Sequence, residues 1–353
     1  EEMKARDKTR PVYLNLGQAV ANEAYKGRGS ACSRRWDHYP DYIRGADIVS
    51  FDIYPVATSD AVVKGNLWYV PYGVGRLVSW AGPDRIVWNC IECTGIQTGD
   101  KPTPAQVRSE VWMSIIHGSK GIIYFVHEWV PKFNEYALLS DPDMLAAVTA
   151  LNARIRELAP VLNSQTVPSG ASVQSSNRDV PVDVMVKQCG GAGYLFASAM
   201  RGGATRATFT LAGFDGDTAV EVIGENRTIA MRSGSFEDDF DAYGVHLYIF
   251  RISSAVAEAG KPSSFLLSSR PNPFNPSTTI TYTLPETGRM NLAVYSLTGQ
   301  MIRLLVSGSR SAGMHSVVWD GRDETGRPAS SGVYLVRFTA DGRSITHRMT
   351  LVK

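Results

Sequence analysis

The stretch Arg85-Ile86-Val87-Trp88-Asn89-Cys90-Ile91-Glu92, followed by Cys93-Thr94-Gly95, decides how the N-terminal part of the chain reads. It is a short, near-continuous apolar run between Gly82-Pro83 and a closing glycine, the pattern of a strand covered on both faces. Such a strand delivers one carboxylate, Glu92, to its C-terminal mouth.

Runs of the same kind flank it. Val12-Tyr-Leu-Asn-Leu-Gly17 and Gly45-Ala-Asp-Ile-Val-Ser-Phe-Asp-Ile53 precede it, the second leading into Tyr54-Pro55, and Ile122-Ile-Tyr-Phe-Val126 follows, closing on His127-Glu128-Trp129. Residues 1–9 read as the end of a helix, and the Gly-, Arg- and aromatic-rich segment up to Tyr42 as a long loop with a helical turn over His38–Ile43. Asn66–Trp80 is amphipathic and predicts a helix interrupted near Pro71 and Gly73. Pro102-Thr-Pro104 starts another through Val107, Val111, Ser114 and Ile115, and a last one runs from about Asp143 to Leu158, stopped by Pro160. Strands and helices alternating in this way imply parallel strands joined by right-handed crossovers. Four such units are half of a (β/α)8 TIM barrel, which needs eight and roughly 250 residues. The fold class expected is therefore α/β for residues 1–163, the last four β/α units of a barrel.

After Pro160 the pattern changes to short alternating runs with many glycines: Val182–Lys187, Tyr194–Ala199, Ala207–Leu211, Ala219–Ile223 and Val245–Phe250. These predict an antiparallel β-sandwich over 164–254. Ala255-Val-Ala-Glu-Ala-Gly-Lys-Pro-Ser-Ser264 opens a small-residue linker over 255–268, and a second β-sandwich is expected over 269–353.

Composition narrows the functional classes. The 353 residues are 44 % hydrophobic and 20 % charged, ordinary for folded domains. The net charge of +2 with scattered basic residues gives no nucleic-acid footprint, and no apolar run reaches the length of a membrane span. The charged opening Glu1–Arg10 is no signal peptide, so the chain is expected to be a piece of a longer one. Cys32, Cys90, Cys93 and Cys189 are too dispersed for a disulfide framework; Cys90 and Cys93 form a lone C-x-x-C, read as structural thiols rather than zinc ligands. No phosphate loop, metal-ligand cluster or cofactor motif stands out, so no cofactor and no metal are expected.

Two resemblances add to this reading. Pro271-Asn-Pro-Phe-Asn-Pro-Ser277, Thr279–Leu284, Val294-Tyr-Ser-Leu-Thr-Gly-Gln300, Val318-Trp-Asp-Gly321 and Ser331-Gly-Val-Tyr-Leu-Val-Arg337 resemble the C-terminal sorting domain of cargo of the type IX secretion system, related to immunoglobulin-like modules of the flagellar hook-capping kind. That resemblance implies a secreted or cell-surface protein of a Gram-negative bacterium, with the type IX secretion machinery as a partner. The earlier part is similar to the C-terminal half of a clan-A glycoside hydrolase with its accessory sandwich. The match is carried by Asn15, Asp52 with Tyr54, Glu92, Arg108-x-x-x-Trp112, His117-Gly118, Trp129, Val222–Arg227, Phe236–Phe240 and Val245–Tyr248. It implies a polysaccharide or oligosaccharide substrate.

Retaining glycoside cleavage uses two carboxyl groups about 5–5.5 Å apart, one as acid/base and one as nucleophile. In clan-A enzymes the nucleophile is a Glu ending the seventh strand. Counting back from the closing strand at 122–126 puts Glu92 there, the alternative being a Glu that caps its strand or pairs with an Arg. The acid/base, at the end of the fourth strand, would lie upstream of residue 1. Asn15, Asp52 and Tyr54 are candidates to bond sugar hydroxyls or orient Glu92, and Trp129 to stack on a sugar face. His127 and Glu128 stand at the right height, with strand alternation sending at most one of them into the pocket. Trp36, Trp68, Tyr69 and His117 read as structural. The rival reading is a non-catalytic surface protein that binds glycan or a partner. Half a barrel also exposes two strand edges, which leaves self-association open.

Overall fold

The computed structural model describes residues 6–7, 9–25, 36–251, 266–340 and 342–352. Cys32, most of the expected opening helix and the linker residues 255–265 lie outside the described residues. The chain divides into two compact units, Glu1–Ile252 and Ser253–Lys353.

In the first unit β1 (Tyr13–Leu16), β2 (Ile48–Phe51), β3 (Ile86–Glu92) and β4 (Gly121–Phe125) form one sheet in chain order, every neighbouring pair parallel. The connections carry α1 (Tyr39–Ile43), α2 (Tyr69–Ala81) and α3 (Pro104–Ile116), and α4 (Pro142–Glu157) follows β4. Sequence signals start the last two helices: Thr103 and Gln106 form a capping box before Pro104, and Asp141 accepts from the Met144 amide before Pro142. The break expected near Pro71 is absent. Pro71 sits in the first turn of α2, where its missing N–H has no intrahelical partner to lose. Gly73 is where α2 meets the sheet, since a Cβ there would lie 2.3 Å from Phe51 Cζ.

Period-two alternation sorts the sheet into two faces. Val49, Phe51, Val87 and Ile91 join Val74, Leu77, Val111, Trp112 and Val148 of the helices in a shared core. Tyr13, Asn15, Ser50, Asp52, Trp88 and Cys90 occupy the opposite face.

Two antiparallel sheets follow. The larger has the order β10 (Arg227–Met231), β9 (Thr218–Val222), β12 (Val245–Arg251), β7 (Ala192–Ala199), β6 (Val182–Cys189). The smaller has β11 (Ser235–Phe240), β8 (Thr205–Leu211), β5 (Ala171–Ser175). Phe209, Phe236 and Phe240 of the smaller sheet are in ring contact with Tyr248 or His246 of the larger. The boundary expected at 163/164 falls inside a single compact unit: Trp112 of α3 stacks on Phe196 of β7, 5.7 Å between centroids, and Met185, Val245 and Leu247 enter the helical core. His117, at the end of α3, bonds the Met113 carbonyl and, at 2.9 Å, Asp183.

The second unit has two antiparallel sheets. One is ordered β13 (Leu267–Arg270), β14 (Thr278–Leu284), β17 (Gly313–Trp319); the other β16 (Met301–Arg310), β15 (Gly288–Ser296), β18 (Gly332–Ala340), β19 (Arg343–Leu351). Trp319, Tyr282 and Phe338 are buried between them. Among the described residues no helix is long and apolar enough to cross a membrane.

Candidate functional site

The C-terminal ends of β1 and β2 bring three of the expected residues together on the face opposite the helices. Asn15 Nδ2 donates to Asp52 Oδ1 at 2.9 Å, and Asn15 Oδ1 accepts from Ser50 Oγ at 2.6 Å. This pattern assigns the amide orientation. Tyr13 OH shares a 2.5 Å hydrogen bond with Ser50 Oγ, and the Cys90 thiol reaches Asn15 Oδ1 at 3.7 Å. Tyr54 lies beyond Asp52, its ring 5.3 Å from Phe125. Burial, reinforced by Asp52, pushes its phenol far above the usual range, so it stays a neutral hydroxyl. Asn15 and Asp52 remain open to solvent at least in part. The result is a polar patch of amide, carboxylate and hydroxyl groups held in fixed mutual orientation. Tyr13, Ser50 and Cys90 were not foreseen, although Tyr13 and Ser50 each lie two residues from an expected member of the patch and therefore on the same face.

Glu92 is placed differently from the expectation of an open nucleophile. It is fully buried, with Oε1 accepting from the Val56 amide and Oε2 from the Ala57 amide, both at 2.7 Å. Each oxygen thereby holds the loop after β2 with one of its lone pairs. Glu110 of α3, also buried, lies beside it, and no donor reaches either of its oxygens. Burial pushes Glu92 up to about 7 against the two amide hydrogen bonds, and raises Glu110 well above the carboxylate range, with the neighbouring Glu92 adding to the rise. Two acids this close in a dry site hold at least one proton between them near neutrality. Glu110 was not anticipated; an acid among Val107, Val111 and Ile115 in an amphipathic helix was the available signal.

The loop after β4 carries the remaining candidates. Trp129 is 53 % exposed and its ring lies 4.9 Å from that of Phe133. Glu128 is half-buried and exchanges backbone hydrogen bonds with Asn134. His127, not Glu128, packs between Phe125 and Phe133. Trp68 stacks on Tyr69 at 4.0 Å between centroids, and the Arg201 guanidinium lies over the Trp68 ring, 4.5 Å from its centroid. Burial raises the Cys90 and Cys93 thiols to about 11 and about 12, which makes them inert. Among the described residues no group of three or more His, Cys, Asp or Glu could hold a metal ion.

Residues 275–344 match the family of FlgD Ig-like domains. No curated protein matches the chain. Among solved structures it is similar to a noncanonic maltogenic α-amylase from Thermotoga neapolitana, at 11 % identity and a TM-score of 0.43, over 71 % of this chain and 57 % of that one. A GH27 β-L-arabinopyranosidase from Geobacillus stearothermophilus matches at 10 % identity and a TM-score of 0.43, over 69 % and 58 %. FlgD from P. aeruginosa is 24 % identical over 21 % of this chain and 58 % of that one, with a TM-score of 0.17. The chain spans less than two thirds of the length of each of these structures.

Proposed function

We propose that the chain is the saccharide-binding part of a secreted glycoside hydrolase, with Asn15, Asp52 and Tyr54 as the residues that hold the sugar. The observation that carries this reading is the Asn15–Asp52 hydrogen bond at the ends of two adjacent parallel strands, with exposed aromatic rings at the same end of the sheet. Active sites of β/α architectures are built at these strand ends. Neutral, polyhydroxylated ligands suit a patch with both donors and acceptors, flanked by apolar rings.

The four parallel strands are the second half of a (β/α)8 barrel in this reading, and the antiparallel sheets of the first unit are its accessory sandwich. Asp52 is the carboxylate that reaches the ligand, and Glu92 supports the loop above it. A retaining mechanism then takes its second carboxyl from the strands that complete the barrel, whether from more of the same polypeptide or from a second copy. Residues 269–353 act as a sorting domain for type IX export to the cell surface. That part is tested by fusing 269–353 to a reporter in a bacterium with this secretion system: surface delivery supports it, and intracellular retention defeats it.

The sugar reading is tested by equilibrium binding and reducing-end release with neutral mono- and oligosaccharides. Asp52→Asn should abolish both while leaving the melting temperature unchanged. Binding that persists in Asp52→Asn would move the site elsewhere. Binding without any release of reducing ends favours a glycan-binding module, the second reading, which the burial of Glu92 supports.

A further inference from the structure

Separate parts of the first unit that the sugar patch leaves unused meet at one cavity. Arg108 comes from α3, Gly224 and Glu225 from the turn between β9 and β10, Asp239 and Asp241 from the end of β11, and His246 from β12. The cavity holds about 490 Å³, within the range of small-molecule sites. A barrel is completed beside β1 and β4, the edges of the sheet, whereas α3 already packs against α2 and α4.

The wall of the cavity is built, not slack. Ser109 Oγ donates to the Tyr243 carbonyl at 2.7 Å and the Gly244 amide to the Asp241 carbonyl at 2.8 Å, which shape the turn before β12. A Cβ on Gly224 would lie 3.3 Å from Arg154 Nη2 of α4, so the turn after β9 closes against the helices. Glu225 is held at both oxygens, Oε1 lying 2.5 Å from His246 Nδ1 and Oε2 accepting from Arg227 Nε at 2.8 Å. Arg227 in turn forks onto Asp238 at 2.9 and 2.7 Å.

Three polar groups on this wall are uncommitted. Arg154, Arg206 and Arg227 nearby each meet a carboxylate at 2.7 Å, on Glu157, Asp239 and Asp238. Arg108 meets none. It donates to the Val245 carbonyl at 3.0 Å, and burial, against the pull of Glu225, holds its guanidinium below the usual range. A largely desolvated guanidinium with spare N–H groups calls for an anion, and a carboxylate matches its fork. Among the described residues the Asp241 carboxylate has no partner, and His246 Nε2 has none while Nδ1 is on Glu225. Glu225, Asp239 and Asp241 also line the cavity, and their charge disfavours a second negative group on the ligand.

We propose that this cavity binds a small organic acid with one carboxylate and with hydrogen-bond donors beside it. The carboxylate lies on the fork of Arg108. The donors meet Asp241 and the Nε2 edge of His246, in the tautomer that the Glu225 contact assigns. Two sources share that chemistry: a uronic acid, whose donors are hydroxyls, and an amino acid or short peptide, whose donor is an ammonium. The site shares no residue with the patch of Asn15, Asp52 and Tyr54.

The test is calorimetry of the whole chain at neutral pH with D-glucuronate and with glycylglycine, against D-glucose, acetate and inorganic phosphate. One of the first two should bind with a Kd of about 1 mM, and which one names the source. The three controls should bind at least about tenfold more weakly, because glucose lacks the carboxylate, acetate lacks the donors and phosphate carries too much charge. Arg108→Lys, which keeps the charge and loses the fork, should weaken binding about tenfold, and Asp241→Asn about as much. Asp52→Asn should leave it unchanged. Unchanged melting temperatures confirm that the variants fold, and Asp241→Asn, which breaks no contact within the chain, decides the matter if Arg108→Lys does not fold. Neither probe binding at about ten times that Kd, or a control binding as tightly as the probe, overturns the site. Affinity within about twofold of the parent in Asp241→Asn overturns it as well. Binding that is lost in Asp52→Asn places the ligand on the strand-end patch and overturns it too.

Discussion

Glu92 and Glu110 face one another across the β3–α3 contact, both fully buried, and only Glu92 is met by hydrogen-bond donors, the amides of Val56 and Ala57. The donors lie in the loop that follows Asp52 and Tyr54. The acid pair therefore acts on the polar patch indirectly, by fixing the chain that leaves it.

Stability should fall as pH rises through neutrality. The folded-state value of Glu92 is about 7 against 4.5 for the free side chain, and Glu110 is raised as well, so the folded chain binds protons that the unfolded chain has released. The contribution is complete below pH 4.5 and is lost as pH climbs through about 7. Thermal unfolding between pH 5.5 and 8 should show a loss on the order of 2–3 kcal/mol in the first unit. Glu110→Gln, which keeps a donor towards Glu92 but cannot ionise, should flatten that slope. An unaltered slope in this variant would assign the pH dependence to other groups.

Glu92→Gln should destabilise the first unit by about 2–4 kcal/mol, because an amide nitrogen must then face the N–H of Val56 or Ala57 with no acceptor between them. Hydrogen exchange at those two amides should accelerate more than at Val87 or Ile91 in the same sheet. This separates a loop-holding role from that of a nucleophile, whose substitution would leave exchange unaffected.

Gly73→Ala tests the packing of α2 on the sheet. The added methyl would meet Phe51 Cζ at 2.3 Å and Ala21 Cβ at 2.9 Å, and Phe51 is fully buried. Alanine favours the helix by about 1 kcal/mol, and overpacking opposes it by typically 1–3 kcal/mol. Urea unfolding should therefore show net loss, and the paired change Gly73→Ala with Phe51→Leu should recover part of it.

Much of this architecture could be read from periodicity. The strand ending at Glu92 and its parallel neighbours appear where short apolar runs between glycines placed them, and the caps at Thr103 and Asp141 mark real helix starts. The strand-end positions of Asn15 and Asp52 are legible in the sequence, and their hydrogen bond follows from β1 and β2 lying side by side. The fate of Glu92 is not legible, because height on a strand says nothing about which loop folds over it, and Val56-Ala57 carries no local signal of doing so. Phe133 escaped for a related reason: it approaches Trp129 only through the register Glu128↔Asn134. The merging of the helical layer and the antiparallel sheets of the first unit depends on Trp112 meeting Phe196, a contact remote in sequence that looks like ordinary core from either side.

Ser50 provides the finest test of the patch. Its side chain is fully buried, and its oxygen joins Tyr13 OH to Asn15 Oδ1, so it holds the Asn15 amide with its nitrogen towards Asp52. Ser50→Ala removes that anchor without adding volume. The expected loss of stability is about 1 kcal/mol, the worth of one hydrogen bond. Asn15 Oδ1 then loses its hydroxyl donor, and the amide, held through Nδ2 on Asp52 alone, no longer presents a fixed edge. If the proposed sugar site is right, saccharide affinity drops about tenfold at every pH from 5.5 to 8, since no titrating group is changed. Ser50→Thr, which retains the hydroxyl, should restore part of it. Equal affinity in Ser50→Ala and the parent would mean that the orientation of Asn15 is not what the ligand reads.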